Sequence, residues 1–118
     1  MLEFLPENGG NILGFRALGT ITQEDFRQTL APCLAAVIQD WGKARMLLYL
    51  EEDFEGFDLE ALKGDFGAKY RDNLEKVAVV GGSFMINLQI RLGAALLGGE
   101  VQTFASDELE EAWDWVRE

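Results

Sequence analysis

The chain has 118 residues, 48% of them apolar and 26% charged, which suits a single domain over 1–118 that buries a core without disulfides or metals. Acidic residues outnumber basic ones 21 to 10, and the net charge of -11 repels phosphate, which argues against nucleic acid and anionic membrane surfaces as partners. There is no histidine and only one cysteine, Cys33, which excludes imidazole bases and ligands, Ser-His and Cys-His nucleophile pairs, an intrachain disulfide and a thiolate zinc cluster.

The opening "MLEFLPENGG" has no basic region and no long apolar run, so no signal peptide is expected. No stretch approaches the roughly 18 apolar residues of a membrane span. A lone cysteine and the acidic composition suit a reducing, cytoplasmic location.

"LEFL" (2–5) and "ILGFRALG" (12–19) read as two strands joined through Asn8-Gly9-Gly10, residues that reach positive φ cheaply. An antiparallel hairpin follows. "ITQEDFRQTLAPCLAAVIQDWG" (21–42) reads as a helix, with Thr22 as N-cap, Asp25 at the capping-box position and Ile21 and Phe26 set for a hydrophobic staple. Phe26, Leu30, Cys33, Leu34, Val37, Ile38 and Trp41 recur at helical steps as one apolar face. Pro32 lacks a backbone donor and predicts a kink or short break near Ala31, with a stop at Gly42.

"ARMLLYLE" (44–51) is an apolar run suited to a central strand covered on both faces. The acidic loop "EEDFEG" follows, then a helix capped by Asp58 that runs to about Tyr70 and is weakened by Gly64 and Gly67. "EKVAVVGG" (75–82) is a second buried strand and "EVQTFA" (100–105) a fifth. Ser106 is placed to cap a last helix whose Leu109, Ala112, Trp113 and Val116 share one face.

The segment between these last two strands, 83–97, alternates like a strand over "INLQIRL" but also carries two apolar helical ridges. Phe84, Leu88, Leu92 and Leu96 form one; Ile86, Ile90 and Leu97 form the other. A parallel crossover needs a helix, which decides for helix. The fourteen residues from Phe84 to Leu97 would span roughly 21 Å, short of a bilayer core of about 30 Å. One apolar face covers the sheet. The second is covered either by neighbouring helices or by a second subunit or ligand; a surface helix in so small a domain has one side in water, which favours the partner.

The order is β-β-α-β-α-β-α-β-α. It predicts an α/β fold: five strands, the first antiparallel and the rest parallel in sequential order, with four helices. That order, with "FEGF" after the third strand, "KVAVVG" in the fourth and "EEAWDWV" near the end, resembles the SpoIIAA-like family over essentially the whole length. These small bacterial proteins are related in fold to STAS anti-sigma-factor antagonists and compared with CRAL-TRIO lipid-binding domains. In STAS antagonists a phosphorylatable Ser or Thr opens the helix after the third strand. Here that place reads "EGFDLEAL", with Asp58 and no hydroxyl, so the phosphoserine switch does not carry over. Relatives often have a His before the fourth strand, and an Asp and a Trp after it. Tyr70, Gly82 and Met85 stand in those neighbourhoods here.

Two groups of residues are singled out. The loop Asp53, Phe54, Gly56, Phe57 and Asp58 is a candidate ligand or partner site, at the sheet edge where α/β proteins bind. Phe54 as a lid on the core is its plainer role. The helix residues Met85, Ile86, Gln89, Ile90 and Leu97 are a candidate interface. "VVGGSF" matches neither a Walker loop nor a dinucleotide fingerprint, and the acidic loop lacks the spacing of a calcium site. No catalytic residue, metal or cofactor is assigned. The expected function is a non-enzymatic interaction or regulatory module, homodimeric through the 83–97 helix. The alternative is a carrier of a small apolar, lipid-like ligand held between that helix and the 52–58 loop.

Overall fold

The computed structural model describes residues 1–5, 9–57, 71–82 and 100–118. Five strands form the main sheet: β1 (Leu2–Phe4), β2 (Ile12–Ala17), β4 (Ala44–Leu50), β6 (Leu74–Val80) and β7 (Glu100–Phe104). They lie side by side in that order, as expected. β1 pairs antiparallel with β2, Leu2 opposite Ala17 and Phe4 opposite Phe15, and every other pairing is parallel. The hairpin turns through Gly9–Ile12, whose backbones exchange hydrogen bonds of 3.3 and 3.1 Å, with Gly10 at φ 58°.

A second, smaller sheet lies outside the expected plan. β3 (Thr20–Ile21) pairs parallel with β5 (Gly56–Phe57). Two residues per strand are too few to show a period, so the 51–57 stretch read as loop alone.

The helical run after β3 comprises α1 (Gln23–Asp25), a π-helical turn (Phe26–Leu30) and α2 (Ala31–Trp41). Its start follows from the sequence. The Thr22 side chain accepts from the Asp25 backbone N–H, and the Asp25 carboxylate accepts from the Thr22 backbone N–H at 2.9 Å. Both staple residues are buried in one cluster, Ile21 and Phe26.

Pro32 does not break this run. Ala31 keeps right-handed helical angles, and its N–H reaches back five residues to the Phe26 carbonyl. The wider π turn absorbs the disturbance that a proline imposes on the carbonyls of the preceding turn. Gly42, at φ 82°, ends α2 with its N–H on the Ile38 carbonyl at 2.7 Å, the left-handed stop that glycine allows.

The apolar face of the run is shorter than its periodicity suggested. Leu30 and Leu34 are fully buried and Cys33, Val37 and Ile38 pack against the core, but Trp41 is 61% exposed. The last turn has run past the sheet by then. The final helix, α3 (Leu109–Arg117), also starts later than expected. Its N-cap is Glu108, without a side-chain cap bond, and not Ser106. The Glu108 carboxylate instead accepts from the Ala105 backbone N–H at 2.7 Å, tying the turn in front of the helix.

Among the described residues the helices are thus the run 23–41, α3 and one 3₁₀ turn, Arg71–Asn73. The two other expected helices, over 58–70 and 83–97, fall outside them, and with them Asp58, Tyr70 and the whole candidate interface of Met85, Ile86, Gln89, Ile90 and Leu97.

Strand alternation builds two cores. Leu13, Phe15 and Ala17 of β2 join Met46, Leu48 and Leu50 of β4 on the face that meets Phe26, Leu30 and Leu34. Leu47, Ala78 and Val80 point the other way, against Ala112, Trp113 and Val116 of α3. A register shift between Ala44 and Arg45 leaves Glu75 as an extra residue in β6. That bulge puts Leu74 and Val77 on the same face, three positions apart in a period of two.

Candidate functional site at the carboxyl edge of the sheet

The parallel strands all end at one edge, and their following loops converge there. Leu18 follows β2, Glu51–Phe54 follow β4, Gly81 and Gly82 follow β6, and Ser106 and Asp107 follow β7. With Tyr49 and Leu50 they line an open cleft of about 840 Å³. This is the edge at which open α/β sheets place their binding groups.

The frame of the cleft is held by backbone chemistry. Gly81 sits at φ 92°, and a side-chain carbon there would lie 2.9 Å from the Leu50 carbonyl oxygen. Its N–H donates to the Phe104 carbonyl at 2.9 Å. One glycine therefore joins the ends of β4, β6 and β7, and no other residue fits both the angle and the space.

The 51–57 loop is pinned with similar density. Glu51 donates its N–H to Ala17 at 3.0 Å and pairs its carboxylate with the Arg16 Nε at 2.9 Å. Phe54 N–H donates to the Glu51 carbonyl at 3.0 Å, and Glu55 N–H to the Gly19 carbonyl at 2.8 Å. Gly56, at φ 136°, and Phe57 then pair with Thr20 and Ile21.

The candidate loop residues separate into roles. Asp53 is exposed and lines the cleft beside Glu52. Phe54 is buried and belongs to the larger core, so it is the lid on that core as well as a cleft wall. Gly56 and the backbone of Phe57 belong to the small sheet. Gly82 does line the cleft, on its exposed rim.

Arg16, Tyr49 and Asp107 carry no site signal in the sequence, and Ser106 reads there only as a helix cap. Their common signal is position: each stands at or just beyond the carboxyl end of a strand, or on a side chain that reaches it. Only strand order brings them together.

The cleft is acidic. Glu51, Glu52, Asp53 and Asp107 line it, and among the described residues no lysine or arginine does. Arg16 offsets Glu51 from the side. Among the described residues no group of three His, Cys, Asp or Glu is placed to hold a metal ion. The arrangement suits a cationic or hydrogen-bond-donating group, held by exposed carboxylates on a rigid frame. Cys33 lies away from this edge, half-buried against the larger core, and burial pushes its thiol above the usual range. It behaves as a small apolar residue.

A hairpin-led, otherwise parallel sheet with helices on both faces defines a small α/β domain. Residues 12–117 match the family model described as SpoIIAA-like, and the chain belongs to that family. It is similar in structure to an uncharacterized protein from Shewanella loihica PV-4, of the DUF3478 family and with a SpoIIAA-like fold. The TM-score is 0.71 at 22% identity, over 98% of this chain and 92% of that one. No curated protein matches the sequence. Among the described residues no helix is long and apolar enough to cross a membrane.

Proposed function

We propose that this SpoIIAA-like protein is a non-enzymatic interaction or regulatory module that recognises a basic segment of a partner protein at the carboxyl edge of its sheet. It does so without the phosphoserine switch of STAS antagonists, and as a cytoplasmic homodimer. The observation that carries this reading is the cleft: four carboxylates around a concavity framed by Gly81 and the pinned 51–57 loop. A positive partner is drawn to such a field and a phosphate is turned away. Self-association rests on the sequence of 83–97, whose second apolar ridge needs a cover.

The cleft is tested by anisotropy with a labelled oligolysine probe at about 0.1 M salt, where the Debye length is near 10 Å. Glu52→Gln combined with Asp53→Asn and Asp107→Asn is expected to abolish most of the binding. Undiminished binding by the triple variant overturns the reading. Sedimentation at micromolar concentration tests the dimer. A clean monomer, or a dimer indifferent to Met85→Glu and Ile90→Glu, removes that part.

The cleft volume also favours a second reading, since sites for small molecules run from about 300 to 1,000 Å³. A carrier would hold its ligand here, although the carboxylate wall suits a polar or cationic ligand better than the lipid-like one. Native mass spectrometry of protein from cells separates the two: a co-purifying small molecule supports the carrier, bare protein the interaction module.

A further inference from the structure

We infer that α3 is a latched cover, an element that lifts from the sheet as a unit and is held shut by Arg45 and Lys76. These two cations are register partners on adjacent central strands and project to the same face. Like charges side by side on a sheet repel. Their shared partner is the C-terminal end of α3. Arg45 Nη1 donates to the Val116 carbonyl at 2.8 Å, and Lys76 Nζ to the Trp115 carbonyl at 3.0 Å. Lys76 also stands 4.8 Å from the centre of the Trp115 ring, and Arg45 lies 3.5 Å from the Glu75 carboxylate.

The last carbonyls of a helix have no partner within it and carry its negative pole. Here the Trp115 carbonyl accepts from the Glu118 N–H at 3.2 Å, and both it and the Val116 carbonyl meet cations, only partly exposed to water, from strands far away in sequence. The opposite end of α3 is tied within its own turn. Glu108 makes no side-chain cap bond to the helix; its carboxylate accepts from the Ala105 N–H at 2.7 Å and its N–H donates to the Ala105 carbonyl at 2.9 Å, closing the one exposed turn from β7. α3 takes no part in the strand ladders, so it can lift without breaking one. What it leaves, among the described residues, is the smaller cluster, Leu47, Ala78 and Val80, beside the paired cations. The cations hold the cover down, while Glu75 beside Arg45 and Glu100 opposite Lys76 offset their mutual repulsion on the sheet.

Hydrogen exchange of the full chain, followed by mass spectrometry, tests this. In the wild type, amides of 109–117 are expected to exchange through a smaller opening than amides of 46–50 and 77–80. In Arg45→Gln/Lys76→Gln the α3 amides are expected to exchange about thirtyfold faster, as two charge-assisted bonds to a helix end imply. The sheet amides should move several-fold less. Lys76→Arg keeps the charge and should restore most of the protection. Exchange of α3 in step with the sheet in the wild type overturns the latch. So does a double variant whose α3 protection is unchanged. If the double variant does not fold, Lys76→Gln alone is read by the same criteria.

Discussion

The two faces of the sheet are packed by opposite means. Among the described residues, the face under the 23–41 run is apolar throughout, with sixteen buried residues in one cluster against seven on the α3 face. That larger face is held by area and by a capped helix start. The α3 face is small, and it adds what area cannot supply: two cations, an aromatic ring under one of them, and a short ring contact of Phe104 with Trp115 at 5.9 Å. One face resists mainly through packing, which charge screening touches little. The other depends on charge placement. The difference teaches that in so small a domain a short helix can be docked by its end as much as by its stripe.

The largest effect is expected where area alone acts. Phe15 is fully buried between the hairpin and the helical run, with Phe4 at 5.0 Å. Phe15→Ala should cost about 3–5 kcal/mol in urea denaturation, with the slope unchanged. A loss near 1 kcal/mol would show that this face is loosely packed and break the comparison. Gly81→Ala comes next. It forces a side chain onto φ 92° and to within 2.9 Å of the Leu50 carbonyl oxygen, a backbone atom that cannot swing away. About 1–3 kcal/mol is expected from the angle, with the close approach adding to it. An unchanged midpoint would mean that the three strand ends are not locked together there.

Much of the larger face was legible in the sequence. The continuous apolar runs of β4 and β6 read as buried strands, and Thr22 with Asp25 marked the helix start. The smaller face was less so. Arg45 stood at the edge of an apolar run and read as its boundary, because its target, the Val116 carbonyl, lies 71 residues on. Pro32 foretold a disturbance but not its form, since a π turn or a break both answer a missing donor. In the candidate site, Asp53 and Phe54 stood out by their local setting. Ser106, Asp107 and Arg16 did not, because parallel strand order alone gathers them. Ser106 was read as a cap on propensity; the Glu108 carboxylate closes the preceding turn first.

A smaller effect, and one with a pH signature, is expected at the helix start. Partial burial pushes the Asp25 carboxyl up, but hydrogen bonds from the Thr22 backbone and hydroxyl and the nearby Met1 ammonium outweigh it, and the group is held below its usual range. The folded chain therefore binds this proton less readily than the unfolded chain. The contribution is complete above the ordinary carboxyl value and lost as pH falls through the lower folded one. Wild type and Asp25→Asn should differ most above about pH 5 and converge toward about pH 3. Thr22→Ala should cost about 1 kcal/mol near neutrality. A wild type–Asp25→Asn gap that is flat from pH 7 to 3 would remove the ionised cap from the account of this face.

The smallest effect belongs to Trp41, the one tryptophan outside both cores. Its ring is 61% exposed and reaches toward the hairpin turn, where a side-chain carbon on Gly10 would come within 3.9 Å of it. A residue beyond the end of the packed stripe should contribute little, so Trp41→Ser is expected to change stability by under about 0.5 kcal/mol. Fluorescence makes the prediction sharper. The remaining Trp113 and Trp115 pack on the α3 face, one buried and one half-buried. Removing the exposed indole should therefore shift native emission to the blue and leave a signal that reports α3 alone. In that background, a red shift on adding Lys76→Gln, seen before the urea transition of the whole chain, would separate the two faces in one spectrum. A red shift that appears only together with global unfolding would mean that both faces give way as one.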